Sequence, residues 1–280
     1  MVALIANLVS AMKHLHQTLI ISAVKHPWNL PLPSVMHKTL DEDFIKKFDE
    51  ILVIGDVHGC YDEMIHLIEQ ASVYNRVNVN DKILKLFVGD LVNKGPKSKQ
   101  VIQYMMKETK SCLSVRGNHD EVVIREYLKY KNNQELIEKN EWIKELTEKE
   151  IAYLISLPYT IAIPSSNMII VHAGLVPGVP INSQKIVDLV NIRNLIISDD
   201  GYTGTPKGNE GDPWASKWSG PDHVYFGHDA KRKLQKYYYC TGLDTGCVYG
   251  NFLTAVFVNG PRKGQFISVK AKTVYEQPKG

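Results

Sequence analysis

The segment Ile51-Leu-Val-Ile-Gly-Asp-Val-His-Gly59 decides the fold of this chain. Its four apolar residues, Ile51–Ile54, predict a short buried strand, and polar residues follow where that strand ends. The two glycines allow the backbone to turn tightly around Asp56 and His58. Open α/β sheets expose ligand-binding side chains at the carboxyl ends of their strands. The segment therefore predicts a sheet with a functional site at its edge.

Four further polar clusters close apolar runs in the same way. They are Gly-Asp-Leu-Val at Gly89–Val92, Gly-Asn-His-Asp at Gly117–Asp120, Val-His-Ala-Gly at Val171–Gly174 and Phe-Gly-His at Phe226–His228. One Gly-Asp turn or one histidine is a common loop or core feature, but five such clusters in this order are not. Oxygen donors mixed with imidazoles suit divalent ions such as Mn, Fe or Zn. Two metals that share one carboxylate clamp an in-line displacement at phosphorus.

The first part of the chain alternates short apolar runs with helical periodicity. The predicted strands are Ile51–Ile54, Ile83–Val88 and Cys112–Val115, and the predicted helices are Tyr61–Val73, Ser98–Lys107 and about Glu121–Lys129. This repeat is typical of a parallel sheet with crossover helices. The later half is richer in predicted strands: Tyr159–Ile163, Met168–Val171, Val224–Phe226, Tyr237–Cys240, Phe252–Val258 and Phe266–Val269.

We divide the chain into three parts. Residues 1–48 are an N-terminal extension and linker, because three prolines interrupt His26–Leu40. Residues 49–272 are the catalytic domain, with a charged helical insertion at 129–157 that contains a capping box of Thr147 and Glu150. Residues 273–280 are a C-terminal tail. Within the domain, the glycine-rich stretch Gly201–Gly211 predicts a loop.

The composition is that of a globular protein. The 280 residues are 44% hydrophobic and 22% charged, and a chain of this length buries a core without help from a metal or disulfide. The net charge is only +3, and without a concentrated basic block we expect no strong nucleic-acid-binding patch. The four cysteines form no Cys-x-x-Cys pair. Cys240 and Cys247 flank a turn and could approach each other, but reduced core thiols fit an intracellular enzyme better.

The amino end, Val2–Val24, is mostly apolar. It has no basic start, and Lys13, His14 and His16 interrupt it, so neither a signal peptide nor a transmembrane helix fits it well. Helical spacing of apolar residues predicts a short amphipathic helix instead; these residues are Ile5, Leu8, Val9 and Met12. We therefore expect no transmembrane segment and a cytoplasmic location, with an N-terminal targeting role left open.

The order of the five clusters resembles that of the calcineurin-like metallophosphoesterases, within the phosphoprotein phosphatase superfamily, over about residues 51–258. Four stretches are most similar to the ApaH-like phosphatases, relatives of symmetrical diadenosine tetraphosphatase: Gly89–Pro96, Arg116–Asp120, Pro213–Trp218 and Gly242–Gly250. The resemblance implies a four-layer α/β/β/α sandwich with a small helical insertion. It also implies two divalent metal ions, with Mn expected and Fe, Zn or Co open.

The resemblance implies a role for each polar residue of the clusters. One metal would be held by Asp56, His58 and Asp90, and the other by Asp90, Asn118, His172 and His228. In the family, hydroxide carried by the two metals attacks phosphorus in line. His119 would protonate the leaving oxygen, and Asp120 would orient His119 as a hydrogen-bond acceptor. Arg116 and Lys94 would hold phosphate oxygens.

Two departures separate the chain from the protein phosphatases. Asn93-Lys94-Gly95 stands where those enzymes usually carry Asp-Arg-Gly, and Asp120 stands where Glu is usual. We therefore predict a metal-dependent phosphohydrolase acting on dinucleoside polyphosphates, nucleotide-capped RNA or polyphosphate. A serine/threonine phosphoprotein phosphatase is the alternative, and an inactive binding protein is a third hypothesis. Trp214 and Trp218 either stack on a base or pack their loop against the sheet.

Overall fold

The protein is described by a computed structural model that covers residues 25–73, 82–199 and 201–278. The amphipathic helix predicted near the amino end lies outside these residues. The α-helices are α1 Glu42–Ile45, α2 Tyr61–Val73, α3 Ser98–Lys107, α4 Asn118–Lys131, α5 Glu148–Ser156 and α6 Ile186–Asn191. None of the helices in the described part of the chain combines the length and apolar character needed to cross a bilayer.

The strands form two large sheets and one small one. The strands are β1 His37–Thr39, β2 Glu50–Ile54, β3 Ile83–Phe87, β4 Cys112–Ser114, β5 Thr160–Ile163, β6 Met168–Val171, β7 Asn194–Ser198, β8 Gly201–Thr205, β9 Asp212–Pro213, β10 His223–Phe226, β11 Gln235–Lys236, β12 Cys240–Gly242, β13 Phe252–Phe257 and β14 Phe266–Lys270. The first sheet has the order β14-β13-β2-β3-β4, the second has the order β1-β5-β6-β10-β12-β11, and β8-β7-β9 is the small sheet. The predicted parallel arrangement of β2, β3 and β4 is confirmed.

The alternation of side chains along β2 explains how the layers stack. Leu52 and Ile54 belong to a core shared with helices α2 to α5, whereas Ile51 and Val53 belong to a core between the two large sheets. A third core, which includes Leu189 of α6, covers the outer face of the second sheet. Because each apolar face needs a partner layer, the result is the predicted four-layer α/β/β/α sandwich.

The structure differs from the sequence predictions at several elements. The predicted linker ends in strand β1, which pairs in parallel with β5 and covers the edge of the second sheet. The predicted loop Gly201–Gly211 begins as β8, which forms an antiparallel hairpin with β7. Of the predicted strand Tyr237–Cys240, the first three residues form the turn between β11 and β12, which pair antiparallel, and Cys240 begins β12. The division of the chain at residues 48 and 272 remains a prediction.

The helical insertion combines two helix types. A 3₁₀-helix spans Glu138–Glu145, and α5 follows it. The predicted capping box is present, because the Thr147 side chain accepts from the Glu150 backbone and the Glu150 carboxylate accepts from Thr147 N at 2.7 Å. Helix α4 begins at Asn118, three residues before its predicted start, and this places Asn118, His119 and Asp120 in its first turn.

Candidate metal centre

The carboxyl ends of five strands converge on one cluster of polar side chains. Asp56, Asp90 and Asn118 follow β2, β3 and β4 of the first sheet, while His172 and His228 follow β6 and β10 of the second. These side chains are buried, apart from the half-buried Asn118. Oxygen and nitrogen atoms of Asp56, Asp90 and His172 all lie within 4.8 Å of one another. Residues that are distant in sequence are thus brought together at the facing edges of the two sheets.

Glycines and strained backbone make this close approach possible. A Cβ atom at Gly227 would collide with the Asp56 carboxylate, and one at Gly117 would collide with Asp90. His58, Asp90 and His228 have φ values of 47°, 49° and 70°. Left-handed backbone at such residues costs on the order of 1–3 kcal/mol each and concentrates at functional sites. The fold tolerates this strain where the polar cluster forms.

The backbone fixes which nitrogen of each site histidine carries the proton. His172 Nδ1 lies 2.8 Å from Val88 O, and His58 Nδ1 lies 3.3 Å from Val92 O. His228 instead uses Nε2, which lies 3.1 Å from Asn191 O. Since a carbonyl oxygen only accepts, each of these nitrogens donates. The opposite nitrogen of each neutral ring therefore presents a lone pair, as in histidines that bind metals.

Those lone pairs face oxygens that are themselves acceptors. His172 Nε2 lies 2.9 Å from Asn118 Oδ1 and 3.4 Å from Asp90 Oδ1. His228 Nδ1 lies 3.0 Å from Asn118 Oδ1, and His58 Nε2 lies 3.4 Å from Asp90 Oδ2. His58 Nε2 also accepts from the Lys94 ammonium at 3.1 Å, whereas the facing acceptors of His172, His228 and Asn118 repel one another unless a positive charge or a proton lies between them. The donor set of carboxylate, amide and imidazole therefore fits divalent ions, with Asp90 placed between the two groups of ligands.

Burial shifts the pKa values of the cluster. Burial raises the pKa of Asp90 to about 7, and burial together with Asp244 and Asp90 raises the pKa of Asp56 well above its ordinary range. Burial also lowers the pKa of His172 to about 4. Neutral histidines and carboxyl groups that ionise near neutral pH are ready to bind cations, which would stabilise the carboxylates.

Asp244 belongs to this cluster, although we did not predict it. Its carboxylate is buried, accepts from Gly246 N at 3.0 Å, and has a pKa that burial raises to about 6. It follows strand β12 as Asp56 follows β2. The sequence carried a signal for it, because an apolar run followed by Leu-Asp-Thr-Gly repeats the strand-end pattern of the other clusters.

His119 and Asp120 contact different partners. The Asp120 carboxylate accepts from Leu91 N, Val92 N and Gly117 N at 2.8–3.3 Å, so it caps α4 and anchors the loop after β3. These contacts show Asp120 in a capping role, and the expectation that it orients His119 stays a prediction. The His119 ring instead places Nδ1 3.1 Å from Asn93 Nδ2. The start of α4 at Asn118 explains the difference, because it makes Asp120 the third helical residue, whose side chain caps the helix.

Arg116 contacts other parts of the protein. Its side chain is fully buried and donates to Pro31 O at 3.0 Å, to Tyr159 Oη at 3.1 Å and to Ile155 O. A guanidinium occupied in this way holds the N-terminal segment and the end of α5 together. These contacts give no support to the phosphate-binding role expected for Arg116, which stays a prediction.

Two other cations lie at the cluster. Lys94 Nζ is 3.1 Å from His58 Nε2 and 5.2 Å from the centre of the Tyr249 ring. Arg193, which we did not predict, donates to His228 O at 3.5 Å, and its side chain is 31% exposed. The charge of Arg193 helps to lower the pKa of His228 after the larger effects of burial and His172. No motif marked Arg193, because it is a lone cation in the mostly apolar stretch Ile186–Ile197.

The two tryptophans pack within the protein. Trp214 is 2% exposed and lies edge-on to Phe226, with ring centres 4.9 Å apart. Trp218 donates from Nε1 to Asp222 O at 2.9 Å. A side chain as buried as Trp214 cannot stack on a base from solution, so the packing interpretation holds for this residue.

Comparisons with known proteins agree on one family. The sequence model described as calcineurin-like phosphoesterase matches residues 50–243. The chain is 30% identical over 246 residues to the asymmetrical bis(5'-nucleosyl)-tetraphosphatase PrpE of Halalkalibacterium halodurans, covering 78% of this chain and 96% of that protein. It is 24% identical over 259 residues to the zinc-dependent endopolyphosphatase of Saccharomyces cerevisiae, covering 78% of each chain.

A solved structure is also similar to this chain over most of its length. The crystal structure of a provisionally assigned diadenosine tetraphosphatase superimposes with a TM-score of 0.72 and 34% sequence identity, covering 85% of this chain and 98% of that chain. The similarity therefore extends over nearly the whole of the solved chain.

Proposed function

The chain belongs to the calcineurin-like phosphoesterase family, and from this membership we propose that it hydrolyses the phosphoanhydride bonds of dinucleoside polyphosphates. Two divalent cations would be held by Asp56, His58 and Asp90 on one side, and by Asp90, Asn118, His172 and His228 on the other. When bound, such ions supply Lewis-acid charge and a water of lowered pKa as the nucleophile. Mn is our proposal for the activating ion; the same ligands also accept Fe, Zn or Co, and availability decides among them.

One observation carries this proposal most directly. Lone pairs of His172 and His228 face the Asn118 amide oxygen at 2.9 and 3.0 Å, although all three atoms are acceptors. A cation bound by these atoms makes the arrangement favourable. The nearby carboxylates of Asp56 and Asp90 provide the negative charge that a divalent ion requires.

The proposed substrate class is supported by what the relatives share. One relative is named as a dinucleoside tetraphosphatase and another as an endopolyphosphatase, and both names refer to linear phosphoanhydrides. Lys94 stands where protein phosphatases usually carry an arginine, and a lysine contacts phosphate as a point charge without a planar fork. These features favour anhydride cleavage over the alternative, a serine/threonine phosphoprotein phosphatase. Nucleotide-capped RNA and polyphosphate remain within the proposed class.

The residues around the metal ligands have proposed roles of their own. Asn93 Nδ2 donates to His119 Nδ1, which keeps the proton of the neutral ring on Nε2. The Nε2–H of this tautomer points the donor side of the ring away from Asn93, and full protonation of the leaving phosphate oxygen would require the imidazolium form of His119. Lys94 and Arg193 carry positive charge beside the ligand set, where substrate phosphate oxygens would bind. We also propose that the protein acts in the cytoplasm, since its cysteines are unpaired thiols, as in a reducing compartment.

A substrate comparison tests the proposal. The Mn²⁺-loaded protein is assayed for kcat/KM on diadenosine tetraphosphate, capped RNA, polyphosphate and a phosphopeptide, with the Asp90→Asn variant as the control for contaminating phosphatases. We expect at least one anhydride to exceed the phosphopeptide by roughly tenfold or more. A phosphopeptide preference of that size would make the protein-phosphatase alternative the better account.

A further inference from the structure

A second cluster of potential metal ligands lies apart from the candidate metal centre. Cys60 directly precedes α2, Glu63 lies in the first turn of that helix, and Cys247 lies in the turn between β12 and β13. All three residues are at most 2% exposed. Their ligand atoms lie within 4.8 Å of one another, and the Cys247 thiol is within hydrogen-bonding reach of Cys60. Three segments that are distant along the chain therefore bring two sulfurs and a carboxylate together.

The Glu63 carboxylate is only half satisfied. Its Oε1 accepts from Lys272 N at 2.9 Å and from the Tyr275 hydroxyl at 2.8 Å. Its Oε2 is buried and has no hydrogen-bond partner. Leaving a carboxylate oxygen buried without a partner is costly, and such atoms call for a specific explanation, an ion among them. A cation between Oε2 and the two sulfurs would satisfy the oxygen.

From this geometry we propose that Cys60, Glu63 and Cys247 form a second cation site, which takes a thiophilic divalent ion of the zinc class. Thiolate sulfur selects zinc over Mg, Ca or Mn, which prefer oxygen ligands. Zinc binds Cys sulfur and Glu oxygen with tetrahedral geometry. The two thiol protons are released to solvent when the ion binds.

Occupancy of this site would hold the tail of the chain against the domain. Tyr275 N donates to Val248 O at 3.0 Å, so the C-terminal segment already runs beside the turn that carries Cys247. The same turn presents the Tyr249 ring, over which Lys94 lies at 5.2 Å. Cys60 follows His58 by two residues. An ion bound at this site would therefore stabilise the C-terminal segment and the surroundings of Lys94 together.

Spectroscopy on the cobalt-substituted protein tests the proposal. The full-length protein is stripped of metal under reducing conditions and titrated with Co²⁺. We expect a near-ultraviolet thiolate-to-cobalt charge-transfer band, which the oxygen and nitrogen ligands around Asp90 cannot produce. The band should disappear in Cys60→Ser and Cys247→Ser but persist in Cys112→Ser and Cys240→Ser, which remove buried thiols outside the cluster. Absence of the band from the wild-type protein would overturn the proposal, as would its survival in both cluster variants.

Two further measurements keep the test decisive if a cysteine variant does not fold. Glu63→Gln retains an acceptor for Lys272 and Tyr275 but loses the negative charge. We therefore expect a Co²⁺ affinity at least tenfold weaker, measured from the thiolate-to-cobalt band. Unchanged affinity would remove Glu63 from the site.

Wild-type protein prepared without reductant should also show four free thiols after chelation and denaturation. A count of two would mean a disulfide in place of the ion. None of these measurements depends on catalytic activity, so their outcome is separate from that of the proposed function.

Discussion

His119 and Asn93 determine the proton-transfer chemistry that the site can perform. Lys94 N donates to Asn93 Oδ1 at 2.8 Å, which leaves Asn93 Nδ2 as the donor toward His119 Nδ1 at 3.1 Å. His119 N also donates to Asp90 Oδ1 at 2.8 Å, so the residue is anchored to the ligand at the centre of the cluster. A neutral amide in this position fixes the tautomer of His119 without adding negative charge.

Replacing His119 should separate substrates by their leaving groups. His119→Asn should slow cleavage of diadenosine tetraphosphate by about 10²–10⁴-fold, the usual contribution of a general acid. Hydrolysis of p-nitrophenyl phosphate should fall much less, because its leaving group needs little protonation. Metal content, measured by elemental analysis, should not change. An equal loss on both substrates would mean that His119 acts in another way, such as binding phosphate.

The two arginines near the site should respond differently to the same change. Arg116→Met removes a fully buried donor from three acceptors, so the free energy of unfolding should fall by roughly 2–4 kcal/mol while KM stays nearly constant. Arg193→Met should leave stability almost unchanged and raise KM by about tenfold, because a partly exposed charge beside the ligands is lost. Urea denaturation and initial rates measure the two effects. A stable Arg116 variant with a high KM would contradict the assignment.

At the residue scale, the sequence predicted which residues lie at strand ends, but it did not predict which partners their side chains contact. Asp56 and Asp90 each follow a buried apolar run and a glycine, and such a run ends at the sheet edge whatever its neighbours are. Arg116 occupies an equivalent position, yet its guanidinium bonds to Pro31 O and Ile155 O. Those acceptors come from segments whose position relative to the strand no local pattern reveals.

At the scale of elements, the segment before the first predicted strand belongs to the body of the protein. His26 Nε2 lies 2.8 Å from the buried Glu121 carboxylate, and Tyr159 N donates to Met36 O at 2.8 Å. Strand β1 then covers the edge of β5. These contacts bind the segment to α4 and to the second sheet, which explains why three prolines do not make it a free linker.

Removing this segment should destabilise the domain. A variant that begins after residue 40 exposes the β5 edge and strips partners from Glu121 and Arg116, so we expect a lower melting temperature and aggregation. His26→Ala alone should cost about 1–3 kcal/mol, because it leaves a buried carboxylate with one partner fewer. Thermal denaturation followed by circular dichroism measures both. Full stability after the deletion would show that the linker interpretation was right.

The elements that matched their predictions have strong periodicity. Helices α2 and α3 have the predicted bounds because each presents one apolar face to the core of the first sheet. Strand β8, Gly-Tyr-Thr-Gly-Thr, was predicted as a loop because its two glycines resemble turn residues. Pairing with β7 overrides that local preference, and pairing partners cannot be read from a single segment.

At the scale of the whole molecule, the packing of the two sheets stabilises the fold but also buries the polar cluster, which lowers the stability. The core between the sheets contains Ile51, Val53, Ile161 and Ile170, and burial of each such side chain contributes about 1.5–3 kcal/mol. The same packing buries several carboxylates at the sheet edges, where burial raises their pKa values. The apolar layers therefore keep these carboxylates close together and buried, and bound cations would compensate their negative charge.

The burial of these carboxylates predicts how the stability of the metal-free protein depends on pH. Burial raises the folded-state pKa of Asp90 and Asp120 to about 7 from an ordinary value of 3.8. His172, with a pKa lowered to about 4 from 6.5, is neutral in both states above about pH 7. Burial also lowers the pKa values of His58 and His228, so these rings too are neutral in both states above about pH 7. Between about pH 7 and 8 the folded state therefore binds more protons than the unfolded state, and stability falls as pH rises, by roughly 1 kcal/mol.

Urea denaturation of the chelated protein at several pH values measures this fall, and added Mn²⁺ should abolish it, because bound cations favour the ionised carboxylates. Stability that rises with pH in the chelated protein would contradict the account.

The central claim is that Asp90 links two metal ions in a phosphohydrolase, and the Asp90→Asn variant tests it most directly. Mn²⁺ bound per chain and the rate on diadenosine tetraphosphate are measured for the variant, for wild type and for Asp188→Asn, which alters a buried aspartate of α6 outside the ligand set. We expect two Mn²⁺ per wild-type and control chain, and in Asp90→Asn a loss of bound Mn²⁺ with at least a ~10³-fold fall in rate. Its metal-free melting temperature should not fall, because the amide removes a buried charge. Wild-type Mn²⁺ content and activity in Asp90→Asn would contradict the account.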